Sequence, residues 1–137
     1  MTLFNTLKSA FVGATLLSAF AAPALATSSL ECSGVGADAG ATVLFGAGPM
    51  LNAIDADVYL DDRFIATRPF DKAERAYILQ FKGDDKSIYV ELMDDQADKH
   101  LATLRVLRHM NEDGEPLQVG ILHIKGKPPV SVTCEGP

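Results

Sequence analysis

The sequence has few of the side chains from which enzyme and metal sites are usually built. It contains no tryptophan, three histidines and two cysteines in 137 residues. Histidine titrates near neutral pH, so a general base or a transition-metal site would depend on His100, His109 or His123. No His-Glu-x-x-His motif, Gly-x-Ser-x-Gly motif or closely spaced cysteine pair is present. We therefore expect a non-enzymatic protein without a cofactor.

Basic residues are also scarce. The chain has 12 Lys and Arg against 18 Asp and Glu, which gives a formal net charge of −6 at pH 7. Nucleic acid and anionic lipid are bound mainly through Lys and Arg, so an acidic chain is expected to bind neither.

The amino-terminal residues have the pattern of a secretory signal peptide. Lys8 precedes an apolar run, residues 10–22, and Ala24-Leu25-Ala26 offers a small-residue cleavage site. The run is well short of the roughly 20 residues that span a bilayer, so no membrane anchor is expected after processing. We predict a signal peptide at residues 1–26, a single β-domain at residues 27–137, and a periplasmic or secreted location.

The two cysteines, Cys32 and Cys134, lie near the two ends of the predicted domain. Export places them where oxidation is permitted, so we predict a structural disulfide between them. Such a bond also predicts that the first and last strands lie side by side.

Past residue 26 the apolar residues alternate with period two, most clearly over residues 54–60, and turn residues interrupt them at short intervals. This pattern predicts an all-β domain, a small antiparallel sandwich or barrel of about eight strands. Residues 95–110 allow an alternative, because Leu101, Leu104 and Arg108 fall near helical spacing. A helix there would give an α+β fold, but Val106 and the turn that follows favour a loop and then a strand.

Two groups of residues are candidates for binding metal. His109 and Met110 combine an imidazole with a thioether, which suits copper(I). Asp94, Asp95 and Asp98 could bind calcium through carboxylate oxygens. In the competing interpretation Met110 fills a gap in the core, His109 ends a strand and points to the opposite face, and the aspartates lie in a solvated turn.

The residue types favour a function in binding. We predict an exported binding or inhibitor module that acts on another envelope or secreted protein. The loops at residues 61–62, 84–85 and 111–115 are acidic, so a basic partner is expected. The alternative is a periplasmic carrier of a small hydrophobic ligand or metal ion, which predicts an enclosed cavity. Arg105 is expected to lie on a solvated face or to pair with an aspartate across the sheet. The alternative is a basic patch that receives a carboxylate or a sugar-phosphate. The oligomeric state stays open.

Overall fold

Nine β-strands form a closed barrel in the computed structural model, which describes residues 27–137. The predicted signal peptide, residues 1–26, lies outside the described residues. In chain order the strands are β1 Ser28–Gly34, β2 Ala39–Phe45, β3 Ala53–Leu60, β4 Arg63–Ala66, β5 Glu74–Gly83, β6 Ser87–Asp94, β7 His100–Met110, β8 Pro116–Ile124 and β9 Val130–Glu135. The predicted all-β fold is confirmed, as a barrel with one strand more than the expected eight. Strand β7 covers most of residues 95–110, so the helical alternative is wrong.

The strands follow one another around the barrel in chain order, and β1 pairs with β9 to close it. Cys32 and Cys134 are direct partners in this last ladder, with their Cα atoms 4.0 Å apart, and they form a disulfide. The predicted bond and the predicted contact between the terminal strands are both confirmed. The disulfide is compatible with an oxidising compartment.

One junction differs from the other eight. Strands β4 and β5 are parallel and share only two register pairs, Ile65 with Glu74 and Ala66 with Arg75. All other neighbours are antiparallel and share at least four pairs. The β4–β5 junction is therefore the weakest part of the barrel wall.

Inward-facing side chains of all nine strands fill the barrel. The alternation expected for a half-buried strand places one residue in two inside. The largest fully buried side chains are Phe45, Leu30, Ile65, Ile88, Leu92, Leu104, Leu122, Ile124, Gln118, Val43, Val90 and Val106. Phe45 and Phe81 pack with their ring centroids 5.9 Å apart. Among the described residues there is no helix long and apolar enough to cross a membrane.

Candidate functional site

Four apolar side chains stand in solvent on the outside of β7 and β8. Leu107 is 69% exposed, Leu117 57%, Val119 43% and Ile121 52%. Leu107 is the direct cross-strand partner of Val119, and Ile121 is the direct partner of Arg105. We call these four residues and Arg105 the apolar outer face. A contiguous exposed apolar surface of this kind marks an interaction site more often than scattered single residues do.

The register of β8 explains why these residues face outward. Leu122 and Ile124 pair with Leu104 and Ala102 on the inside of the barrel. Period-two alternation then sends Leu117, Val119 and Ile121 outward and turns Gln118 inward. A one-residue slip would reverse every side chain of the strand. The apolar face is thus a consequence of pairing with β7.

Gln118 occupies the inward position that an apolar residue would ordinarily take. It is 2% exposed, and its Nε2 donates a hydrogen bond to the carbonyl oxygen of Gly136 at 2.6 Å. It is also the register partner of Cys134. The buried amide therefore ties β8 to the chain end beyond the disulfide.

Sequence reasoning did not find the apolar outer face. An apolar alternation at Leu117, Val119 and Ile121 is typical of core residues. The signal that was present is the adjacent pair Ile121-Leu122, where the apolar positions change from odd to even numbers. Only one of those two sets can face the core, and pairing with β7 decides which.

Arg105 lies at the centre of two adjoining surface grooves. One groove, of about 480 Å³, runs between Arg105, Leu107, Val119 and Ile121 on one side and Thr133 on the other. The second, of about 380 Å³, lies between Arg105 and Lys82. The two grooves form a continuous surface across β5 to β9. Apolar residues line one side of it, and the cations Arg105 and Lys82 line the other.

The Arg105 guanidinium stacks over the Tyr89 ring, with its Cζ 5.0 Å from the ring centroid. It makes no ion pair with any residue from 27 to 137. The expected pairing with an aspartate across the sheet is therefore wrong. Stacking holds the guanidinium flat and leaves its N–H groups available to an acceptor.

The two parts of the copper candidate lie at the far end of β7. His109 pairs with Leu117 and Met110 with Pro116, and both side chains are exposed. The interpretation in which Met110 fills a gap in the core is therefore wrong, since Met110 is 60% exposed. As neighbours on one strand they point to opposite faces. Within residues 27–137 no group of three His, Cys, Asp or Glu side chains is placed to hold a metal ion.

The calcium candidates lie in and before the turn between β6 and β7. The Asp94 Oδ1 accepts hydrogen bonds from the backbone N–H groups of Asp98 at 2.8 Å and Lys99 at 3.1 Å. These bonds lower the pKa of the Asp94 carboxyl below its ordinary value, and the bond from Lys99 contributes most. The Asp94 carboxylate organises the turn, and the structure brings Asp95 and Asp98 into no ligand cluster with it.

Two of the acidic loops also use carboxylates locally. Asp61 and Asp62 lie 3.5 Å and 3.3 Å from the Lys127 Nζ, and the bond from Lys127 lowers the pKa of Asp62. The Asp84 Oδ1 accepts hydrogen bonds from the backbone N–H groups of Lys86 and Ser87 in the same hairpin loop, and these bonds lower the pKa of Asp84. These carboxylates stay accessible to solvent, but part of their hydrogen-bonding capacity is already used.

The three histidines do not converge. His100 Nε2 lies 3.7 Å from Glu91 Oε1 on the barrel wall, rather than beside the aspartates of the adjacent turn. His123 is exposed on β8, and His109 is exposed near the opposite end of β7. In the described part of the chain, each histidine stands apart from the other two.

One small apolar space lies between the described side chains of the barrel core. The apolar space between Val43, Ala56, Val58, Val90 and Leu104 is too small to admit a water molecule. Small-molecule sites are ordinarily cavities of about 300 to 1,000 Å³.

Comparison of the chain with protein-family models, with curated proteins and with solved structures finds no match.

Proposed function

We propose that this protein is an exported, non-enzymatic binding or inhibitor module that docks on another envelope or secreted protein through the apolar outer face. The observation that carries the proposal is the exposure of Leu107, Leu117, Val119 and Ile121 around an Arg105 that makes no ion pair with another described residue. Arginine and aromatic residues dominate binding energy at protein interfaces, and Tyr89 lies directly under this arginine.

The filled interior supports a role for the outside of the barrel. A carrier of a small hydrophobic ligand needs an enclosed volume, whereas the apolar space between the described core side chains is too small for a water molecule. The grooves beside Arg105 are instead shallow and open across several strands. Surfaces of this shape suit the side chains of a protein partner, with the Arg105 N–H groups donating to its carbonyl or carboxylate oxygens.

The charge of the chain supports a basic partner. Removal of Lys8 with the signal peptide leaves 11 basic residues against 18 acidic ones, a formal charge of −7. Charge at this level steers an oppositely charged partner toward the protein and mainly raises the rate of association. In this proposal the acidic loops attract the partner and the apolar outer face holds it. The signal-peptide pattern and the disulfide together support a periplasmic or secreted location.

The test is a pull-down from the producing cell's envelope extract with the oxidised protein as bait, at low and at physiological salt. We expect one basic protein in stoichiometric amount, captured faster at low salt. The variant Leu107→Asp should lose the capture, because the charge would be buried at the contact. The matched control is Met50→Asp, which makes the same change at a side chain 79% exposed in the β2–β3 loop. Equal capture by both variants would refute the proposed surface.

A further inference from the structure

Strand β5 has one edge with little pairing. It is ten residues long, but its ladder with β4 ends at Ala66 and Arg75. Beyond Ala76, neither the two register pairs with β4 nor any backbone hydrogen bond outside the strand ladders joins this edge to another residue of the described chain. A strand edge of this kind presents N–H and C=O groups to which another chain can add.

The ladder with β6 identifies the groups that point outward along this edge. The Asp84 N–H donates to the Ser87 carbonyl oxygen at 2.9 Å, so these residues form a hydrogen-bonded pair. Bonded and non-bonded pairs alternate along an antiparallel ladder. Lys82 therefore exchanges hydrogen bonds with β6, whereas Phe81 and Gly83 direct their backbone groups to the opposite side.

The β6–β7 ladder gives the same answer independently. The Arg108 N–H donates to the Lys86 carbonyl oxygen at 2.8 Å, so these two residues form a hydrogen-bonded pair. Because every second residue of the ladder is bonded in this way, Ile88 and Val90 exchange their backbone hydrogen bonds with β7. Their backbone groups consequently point away from β5. Val90 and Ile88 are the β6 partners of Phe81 and Gly83.

The side chains along this edge define the kind of segment that would fit. Tyr77 is 51% exposed and Leu79 55%, which provides apolar contact. The Arg75 guanidinium lies 5.7 Å from the Tyr77 ring centroid at one end, and Lys82 is exposed at the other. At the Gly83 end the edge adjoins a groove of about 340 Å³ that can receive a further side chain.

We propose that the β5 edge accepts an extended segment of another protein as an added strand, and that this segment carries carboxylates at its ends. The carboxylates would lie near Arg75 and Lys82, since Glu74 is already bound to Arg63 at 3.0 Å. Lys82 also lines the groove beside Arg105, but the backbone edge of β5 is not part of the apolar outer face. The proposal does not rest on the proposed function.

A second copy of the chain fits this edge less well than an acidic segment does. Antiparallel pairing of two β5 strands would place Arg75 of each copy close to Lys82 of the other, which is unfavourable. The ladder is also irregular between Ile78 and Gln80. Bulges of this kind bend an edge and discourage pairing between long identical strands.

The first test is amide hydrogen exchange by NMR on the oxidised protein as purified after export. We expect the Phe81 and Gly83 amides to exchange about 100-fold faster than that of Lys82, whose N–H is bonded to β6. Equal protection of the three amides would overturn the proposal, because it would mean that the edge is already covered.

The second test adds the synthetic peptide acetyl-EVTVTVE-amide, with acetyl-KVTVTVK-amide as the matched control. The acidic peptide should slow exchange at Phe81 and Gly83 and bind about tenfold more tightly than the basic one. Lys82→Glu should reduce or reverse that preference while the fold is kept. Absence of binding, binding without protection of these amides, or protection that rises with protein concentration through dimer formation would each overturn the proposal.

Discussion

Loss of the disulfide should lower stability more than loss of any comparable buried contact. Cys32 and Cys134 are 102 residues apart, so reduction releases almost the whole domain from its crosslink in the unfolded state. The chain-entropy relation gives about 4.7 kcal/mol for a loop of this length. An unfolding entropy of about 230 cal/mol/K, expected for a domain of this size, converts that value into a fall in Tm of about 20 °C. The perturbation is the double variant Cys32→Ala/Cys134→Ala.

Thermal unfolding followed by circular dichroism measures this difference, and intact mass confirms the disulfide in the parent through a two-hydrogen gain on reduction. Val132→Ala is the control, because it removes buried atoms of β9 and keeps the bond. It should cost only about 1 to 2 kcal/mol. A double variant whose Tm falls by no more than that of Val132→Ala would refute the entropic reasoning.

Three further predictions concern single contacts. Arg68→Met should cost about 1 to 3 kcal/mol, because Arg68 is the ion-pair partner of the buried Asp57 carboxylate, and adding Asp57→Asn should restore most of the loss in urea unfolding. Equal losses of stability in Arg68→Met and in the double variant would contradict this explanation. Gly120→Ala should cost about 1 to 3 kcal/mol, because its Cβ would lie 2.2 Å from the Arg105 carbonyl oxygen; an unchanged midpoint would be inconsistent with the close approach. The pKa of the Asp84 carboxyl is lower in the folded protein than in the unfolded chain. Its ionised form therefore stabilises the fold at pH values above the unfolded-state pKa, and this stabilisation is lost as the pH falls through the folded-state pKa. The free energy of unfolding of Asp84→Ala should therefore fall less than that of the parent between about pH 5 and about pH 2. An identical fall in the two proteins would contradict this role of Asp84.

The sequence was informative wherever a local pattern determines the outcome. Alternation over residues 54–60 predicted a strand with one buried face, and Ala56, Val58 and Leu60 of β3 are buried. The alternation fails at two positions, because Ile54 is 47% exposed and Asp57 is buried where it forms an ion pair with Arg68. Cys32 and Cys134 predicted the closing contact, because a chain with two cysteines offers one intramolecular pairing.

The candidate surfaces were harder to predict because they depend on register. Which face of β8 is exposed follows from its pairing with β7, a relation between strands that no single segment contains. The same holds for Arg105, which stacks on a residue of β6 instead of meeting an aspartate. The open edge of β5 arises because β4 is only four residues long, and strand ends are among the least certain features of a sequence-based prediction.

The order of strands around the barrel has a consequence for how the chain folds. Eight of the nine junctions join strands that are consecutive in the chain, so each can form from a short segment. The ninth joins β1 to β9 and has to wait until the carboxy-terminal strand has arrived. The slow, long-range part of folding is concentrated in this one step. A chain in which β9 has not yet paired would therefore be a curved open sheet with one edge of β1 exposed and Cys32 still a thiol, until β9 completes the wall.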